Sequence, residues 1–138
     1  MYLLDTNIFL EIMLSRPRKD VCKRLLNILM KGEETGLITD FSVYSIMVIM
    51  SGFVKYEHLK TFLTSLSVYK GLSIYTTTLS DKVRAADICL KETLDIDDSI
   101  QYSTALACGV KGIVSFDKHF DGLEIPRIEP QTVLAEKH

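Results

Sequence analysis

Three short acidic stretches, YLLDTN, DIDDSIQ and IVSFDKHF, place Asp5, the pair Asp97 and Asp98, and Asp117 far apart along the chain. Asp5 and Asp117 follow apolar runs of β character, and Asp98 opens a helical pattern. Carboxylates at strand ends and helix starts can meet at one point of a parallel-sheet fold. There they repel one another unless a cation joins them. The chemistry this predicts is a divalent metal centre acting on phosphates. Each residue also has a plainer reading. Asp5, Thr6 and Asn7 are all capping types, Asp97 and Asp98 complement a helix dipole, and Asp117 suits a turn. A carboxylate that caps a helix can still bind a cation.

The elements that would position these groups alternate along the chain. Tyr2 to Leu4 and Gly36 to Thr39 read as strands, as do Leu72 to Thr76, Gly112 to Phe116 and Ile125 to Ile128, where Pro126 marks an edge. Helical spacing covers Asn7 to Leu14, Lys19 to Gly32, Val43 to Val54, Glu57 to Leu66, Asp81 to Leu94 and Asp98 to Cys108. Asp40 and Ser42 are candidate caps for the third of these helices, and Gly109 for the end of the last. Val83, Ala86, Leu90 and Leu94 are in register on one face. The helix from Val43 is apolar nearly all round, which predicts deep burial or an interface. Alternating strands and helices imply a parallel sheet covered on both faces.

Composition narrows the class. The chain has 138 residues, 47 % hydrophobic and 25 % charged, with a net charge of −2. That is the length of one domain, expected to span 1–138, and it carries no global basic field. The three cysteines, Cys22, Cys89 and Cys108, form no Cys-x-x-Cys pair and read as free thiols in a reducing compartment. No apolar stretch reaches the ~20 residues a membrane span needs, so a cytoplasmic protein without membrane contact is expected.

Asp5-Thr6-Asn7 after a strand, a helix running from Asp98 through Ala105, and Ser115-Phe116-Asp117 with Phe120 after a later strand together resemble the PIN domain family. The likeness is strongest to its single-domain VapC-type ribonuclease toxins. The resemblance extends over essentially the whole chain. It implies a three-layer α/β/α sandwich with a central, mainly parallel sheet. It also implies hydrolysis of RNA with Mg²⁺ or Mn²⁺, a homodimer and an antitoxin partner. Asp5, Asp98 and Asp117 are then the catalytic, metal-holding residues, with Asp97 and Glu11 as further candidate ligands and Thr6, Asn7 and Ser115 in support. Arg16, Arg18, Lys19, Lys23 and Lys118 are candidates to guide the RNA backbone, with Arg24 beside them. His119, next to Asp117, reads as a surface residue.

The chain departs from the family pattern at one place. A Glu usual early in the helix after the second strand is absent from Asp40-Phe41-Ser42-Val43-Tyr44-Ser45-Ile46-Met47; Ser45 or Met47 stands about where it would fall. That absence supports a rival reading, a catalytically weakened PIN fold that binds RNA or a protein partner. A phosphatase with Asp5 as nucleophile is a third, but Asn7 stands where that pattern wants a second Asp.

Overall fold

A computed structural model describes residues 1–136. Its elements are β1 (Tyr2–Leu4), α1 (Thr6–Met13), α2 (Lys19–Met30), β2 (Gly36–Thr39), α3 (Asp40–Gly52), α4 (Tyr56–Ser65), β3 (Leu72–Tyr75), α5 (Leu79–Lys91), α6 (Ile96–Cys108), β4 (Gly112–Val114), a 3₁₀ turn (Lys118–Phe120), β5 (Arg127–Ile128) and α7 (Pro130–Ala135). The five strands form one parallel sheet in the order β3-β2-β1-β4-β5.

The chain lays β1, β2 and β3 down in one direction, then returns to add β4 and β5 on the far side of β1. The order therefore reverses between β1 and β4. A crevice opens at such a point beyond the carboxyl ends of the two strands, because the connections leave in opposite directions. Register places Leu4 opposite Val114. Asp5 and Ser115 are the next residues on each strand, and the Asp5 N–H donates to the Val114 carbonyl at 3.0 Å.

Strand alternation divides the core. Tyr2, Leu4, Ile38 and Val114 pack with Ile8, Phe9, Leu25, Leu29, Ile46 and Met50 from α1, α2 and α3. Leu3, Leu37 and Ile113 face the opposite layer, where they meet Tyr102 and Ala105 of α6 and Phe120. Burying each large side chain of this kind contributes about 1.5–3 kcal/mol. Gly112 packs closely: a Cβ there would stand 2.4 Å from Cδ1 of Ile128 across the strand pair, so that side chain would have to move. Gly109 ends α6 in the left-handed conformation at φ 60°, the C-cap expected of it.

Several boundaries move. Thr39 caps α3 by accepting from the Ser42 N–H at 2.9 Å, so neither Asp40 nor Ser42 is the cap. β4 closes at Val114 and β5 holds two residues. α7 lay outside the sequence reading; Pro130 opens it and Val133 and Leu134 are buried.

Of the four apolar residues read in register on the fifth helix, only Leu94 joins the core. Val83 is 63 % and Leu90 87 % exposed, and Leu94 lies beyond the helix. α5 instead buries Ala85 and Asp81. Asp81 is held by the Tyr75 hydroxyl and the Thr78 N–H, each at 2.8 Å. α3 likewise buries Ser42, Ile46 and Met50 but exposes Tyr44 and Val48. Cys22 is buried, Cys89 and Cys108 are half-buried, and all are free. Among the described residues, no helix is long and apolar enough to cross a membrane.

Candidate metal centre

Asp5 leaves β1 at the crevice and occupies the N-cap position of α1 without a side-chain capping bond. Its carboxylate turns to the neighbouring elements. Oδ2 accepts from the Ser115 hydroxyl at 2.7 Å, and Oδ1 accepts from Nε2 of Gln101 at 3.0 Å. The residue is only 3 % exposed. Burial pushes its pKa up, and the nearby Asp117 charge adds to this against the opposing pull of the Ser115 and Gln101 hydrogen bonds.

α6 delivers the second group. It begins at Ile96, with Asp95 rather than Asp98 at its start. Asp95 Oδ1 accepts from the Asp98 N–H at 2.9 Å, so Asp95 caps the helix. This sets Asp97 and Asp98 in the first turn. Asp98 is buried, and its pKa is pushed up to about 7, first by burial and then by the charges of Asp95, Asp117, Asp5 and Asp97. Asp97 is raised by burial and by Asp5. The rises report carboxylates crowded together without a compensating charge.

β4 delivers the third. Ser115 is fully buried, and its Oγ accepts from the Asp117 N–H at 2.9 Å while donating to Asp5. Asp117 Oδ1 accepts from the His119 N–H at 2.9 Å and closes the 3₁₀ turn. The turn carries His119 to the crevice: Nδ1 lies 3.2 Å from Asp117 Oδ1 and 3.5 Å from Asp98 Oδ2. One ligand atom from each of Asp98, Asp117 and His119 falls within 4.8 Å of the others. Oxygen donors this close fit a hard divalent cation, which would relieve their repulsion.

The remaining expected residues surround this centre unevenly. The Thr6 hydroxyl donates to Ser42 Oγ at 2.8 Å, and Thr39 Oγ1 donates to the same oxygen at 3.1 Å. A hydroxyl network thus links α3 to the start of α1, and it contains no carboxylate. Asp40 is engaged elsewhere, accepting from the Thr77 hydroxyl at 2.9 Å. Exposed Asn7 accepts from Arg16 Nη1 at 3.3 Å. Glu11 accepts from the Arg18 N–H at 3.0 Å and closes the bend between α1 and α2. It does not join the group of Asp98, Asp117 and His119. The Arg18 guanidinium lies 4.3 Å over the Phe116 ring, next to Asp117. Lys23 and Lys118 are exposed and Lys19 is half-buried. Lys23 borders a groove with Ile12, Leu26 and Tyr69, and Arg24 borders another against Gln131 and Leu134.

Gln101 is the group that the sequence did not mark; His119 is exposed, as a surface residue should be, yet borders the acids. Gln101 stands one turn after Asp97 and Asp98 on α6, the spacing that shares a helix face. It is fully buried, and its Nε2 also reaches Asp97 Oδ1 at 3.4 Å.

Similarity to known proteins follows the same architecture. A toxin–antitoxin complex from Klebsiella pneumoniae aligns with 17 % identity and TM-score 0.70, over 94 % of this chain and 98 % of that one. VapC20 of Mycobacterium tuberculosis, described as a toxin that cleaves the sarcin–ricin loop, aligns with 8 % identity and TM-score 0.73, over 91 % and 96 %. VapBC2 of Rickettsia felis, bound to a DNA fragment from its promoter, aligns with 17 % identity and TM-score 0.69, over 93 % and 97 %. At such identities the likeness is one of fold. No curated protein matches the chain. The family model for the PIN domain matches residues 2–125, and the chain therefore belongs to the PIN domain family.

Proposed function

We propose that this chain is a metal-dependent endoribonuclease, the toxin of a toxin–antitoxin pair, with Asp5, Asp98 and Asp117 as its catalytic centre. The observation that carries the reading is the meeting of Asp5, Asp97, Asp98 and Asp117 at the reversal point of the sheet, with burial and mutual repulsion favouring the protonated forms of Asp5, Asp97 and Asp98. Family membership and the toxin folds it resembles support it.

Asp98 and Asp117 present oxygens to a shared ion, with Asp97 as a further ligand. Asp5, fixed by Ser115 and Gln101, sets the charge behind them. A divalent ion such as Mg²⁺ or Mn²⁺ held there supplies a lower pKa for water and neutralises charge developing on phosphate oxygens. Thr6 and Ser42 fix the start of α1. Arg16, tethered at Asn7, and Arg18, stacked on Phe116, place guanidinium groups on segments bordering the acidic centre. With Lys19, Lys23 and Lys118 they attract the RNA backbone, so binding weakens as salt rises.

The test is cleavage of RNA by the purified chain with Mg²⁺, with excess chelator, and after Mg²⁺ is restored. Cleavage lost and regained in that order supports the reading; cleavage indifferent to chelator overturns it. The alternative, an RNA- or protein-binding module of weakened activity, rests on the hydroxyl network of α3, where Ser42 and not a carboxylate meets Thr6. RNA binding with no cleavage at any metal concentration would favour that alternative.

Two surfaces suit partners. An apolar groove of about 380 Å³ between α1, α2 and α4, lined by Phe9, Ile12, Met13, Leu26, Phe62 and Tyr69 among others, shares no residue with the acidic centre. It would receive an apolar segment of an antitoxin. The exposed apolar residues of α3 and α5 would join two copies in a homodimer.

A further inference from the structure

We propose that His119 is itself a metal ligand through Nδ1, and that it makes this centre prefer a first-row transition ion, Mn²⁺ as the test case, over Mg²⁺. This rests on the reading above that the acidic centre holds a cation, and adds a donor that reading does not need.

The geometry is the first support. In an octahedral site with bonds of about 2.1 Å, neighbouring donor atoms stand roughly 3.0 Å apart. Nδ1 of His119 lies 3.2 Å from Asp117 Oδ1 and 3.5 Å from Asp98 Oδ2. The nitrogen thus sits at nearly the spacing of an adjacent vertex to both carboxylates. Its placement is built by the main chain, because the His119 N–H is bonded to Asp117 and holds the turn closed. Although 68 % of the side chain is exposed, its Nδ1 lies within 3.5 Å of both acids.

A second feature is independent of the imidazole. Gln101 is fully buried and directs its amide N–H at Asp5 and Asp97, but its Oε1 finds no donor among the described residues. A buried acceptor without a partner costs about 1–3 kcal/mol. At the edge of a carboxylate cluster, the hydration shell of a bound cation is a ready source of the missing donor.

Selectivity follows from the donor set. Mg²⁺ takes oxygen ligands and gains little from an imidazole, whereas a nitrogen donor favours the later first-row ions, with Mn²⁺ accepting both types.

The experiment uses the whole chain, loaded with Mn²⁺ and studied by pulsed electron paramagnetic resonance, beside His119→Ala and His119→Gln. Wild type should show ¹⁴N modulation from a directly bound imidazole, and both variants should lose it. Titration should show Mn²⁺ affinity falling about tenfold or more in the variants, with Mg²⁺ affinity changing less than about twofold. The exposed side chain makes unfolding an improbable confounder, and circular dichroism checks it. Bound Mn²⁺ without ¹⁴N coupling in wild type overturns the role of His119 and leaves the carboxylate centre standing. Failure of wild type to bind Mn²⁺ or Mg²⁺ overturns both.

Discussion

The Ser115 hydroxyl donates to Asp5 Oδ2 at 2.7 Å, joining residues 110 positions apart. The same oxygen accepts from the Asp117 N–H. One buried hydroxyl therefore ties the Asp5 carboxylate to the Asp117 backbone. Ser115→Ala removes a donor from a buried carboxylate and an acceptor from the Asp117 backbone. The expected cost is about 1–3 kcal/mol, read as a lower denaturant midpoint at constant slope. RNA cleavage should fall with it, since Asp117 loses its anchor. A variant as stable and active as wild type would show that the hydroxyl positions nothing.

Asp5→Asn keeps the shape of the side chain and removes its charge. Asparagine can still accept from Ser115, and loss of a buried carboxylate relieves repulsion with Asp117. The fold should survive, with a melting temperature equal to or above that of wild type. RNA cleavage should drop by about 100-fold or more, the scale seen when one preorganised electrostatic group is removed. Retained cleavage in a folded Asp5→Asn protein would defeat the assignment of this centre.

Much of the architecture was legible because its signals are local. The end of β1 marked by Asp5, Gly109 at the end of α6, and helical spacing from Lys19 onward each follow from short-range rules. The orientation of α5 was not. Spacing shows that Val83, Ala86 and Leu90 share a face, but not that α6 takes up the opposite one. Asp95 was hidden by the adjacent pair Asp97 and Asp98, although an Asp three residues before Asp98 is a capping geometry. Gln101 could not be recognised from sequence for another reason. A helix repeat gives the direction of a side chain, while its partner lies 96 residues away in the case of Gln101 and Asp5. Six-residue α7 is too short to show a period, and only Pro130 announced it.

Asp98 makes the metal-free protein sensitive to pH. Between the ordinary aspartate value of 3.8 and about 7, the folded chain retains a proton that the unfolded chain has released. Asp98 thus withdraws stability as pH rises through that window. Asp98→Asn should match wild type near pH 4 and melt higher above pH 7, by roughly 3 °C or more in chelator, the scale of about 1 kcal/mol in a chain of this size. Differential scanning calorimetry across the range checks this. A constant difference between the two proteins at all pH values would show that Asp98 titrates normally.

Gln101→Glu tests the neutral clamp on the acids. Wild-type Gln101 gives N–H bonds to Asp5 and Asp97 and so holds two carboxylates without adding charge. Glutamate of the same length loses both donors and places another carboxylate in the cluster. In chelator the variant should melt several degrees lower at pH 8 and recover most of that loss near pH 4, where the added group is protonated. Mg²⁺ or Mn²⁺ should raise its melting temperature more than that of wild type, because a ligand stabilises the folded state more the more tightly it binds and an extra anion strengthens the site. The sign of the metal effect separates two meanings of the destabilisation. A Gln101→Glu protein that melts low but gains no more from metal than wild type would place Gln101 in the core of the fold alone, with no hand in the charge balance of the centre.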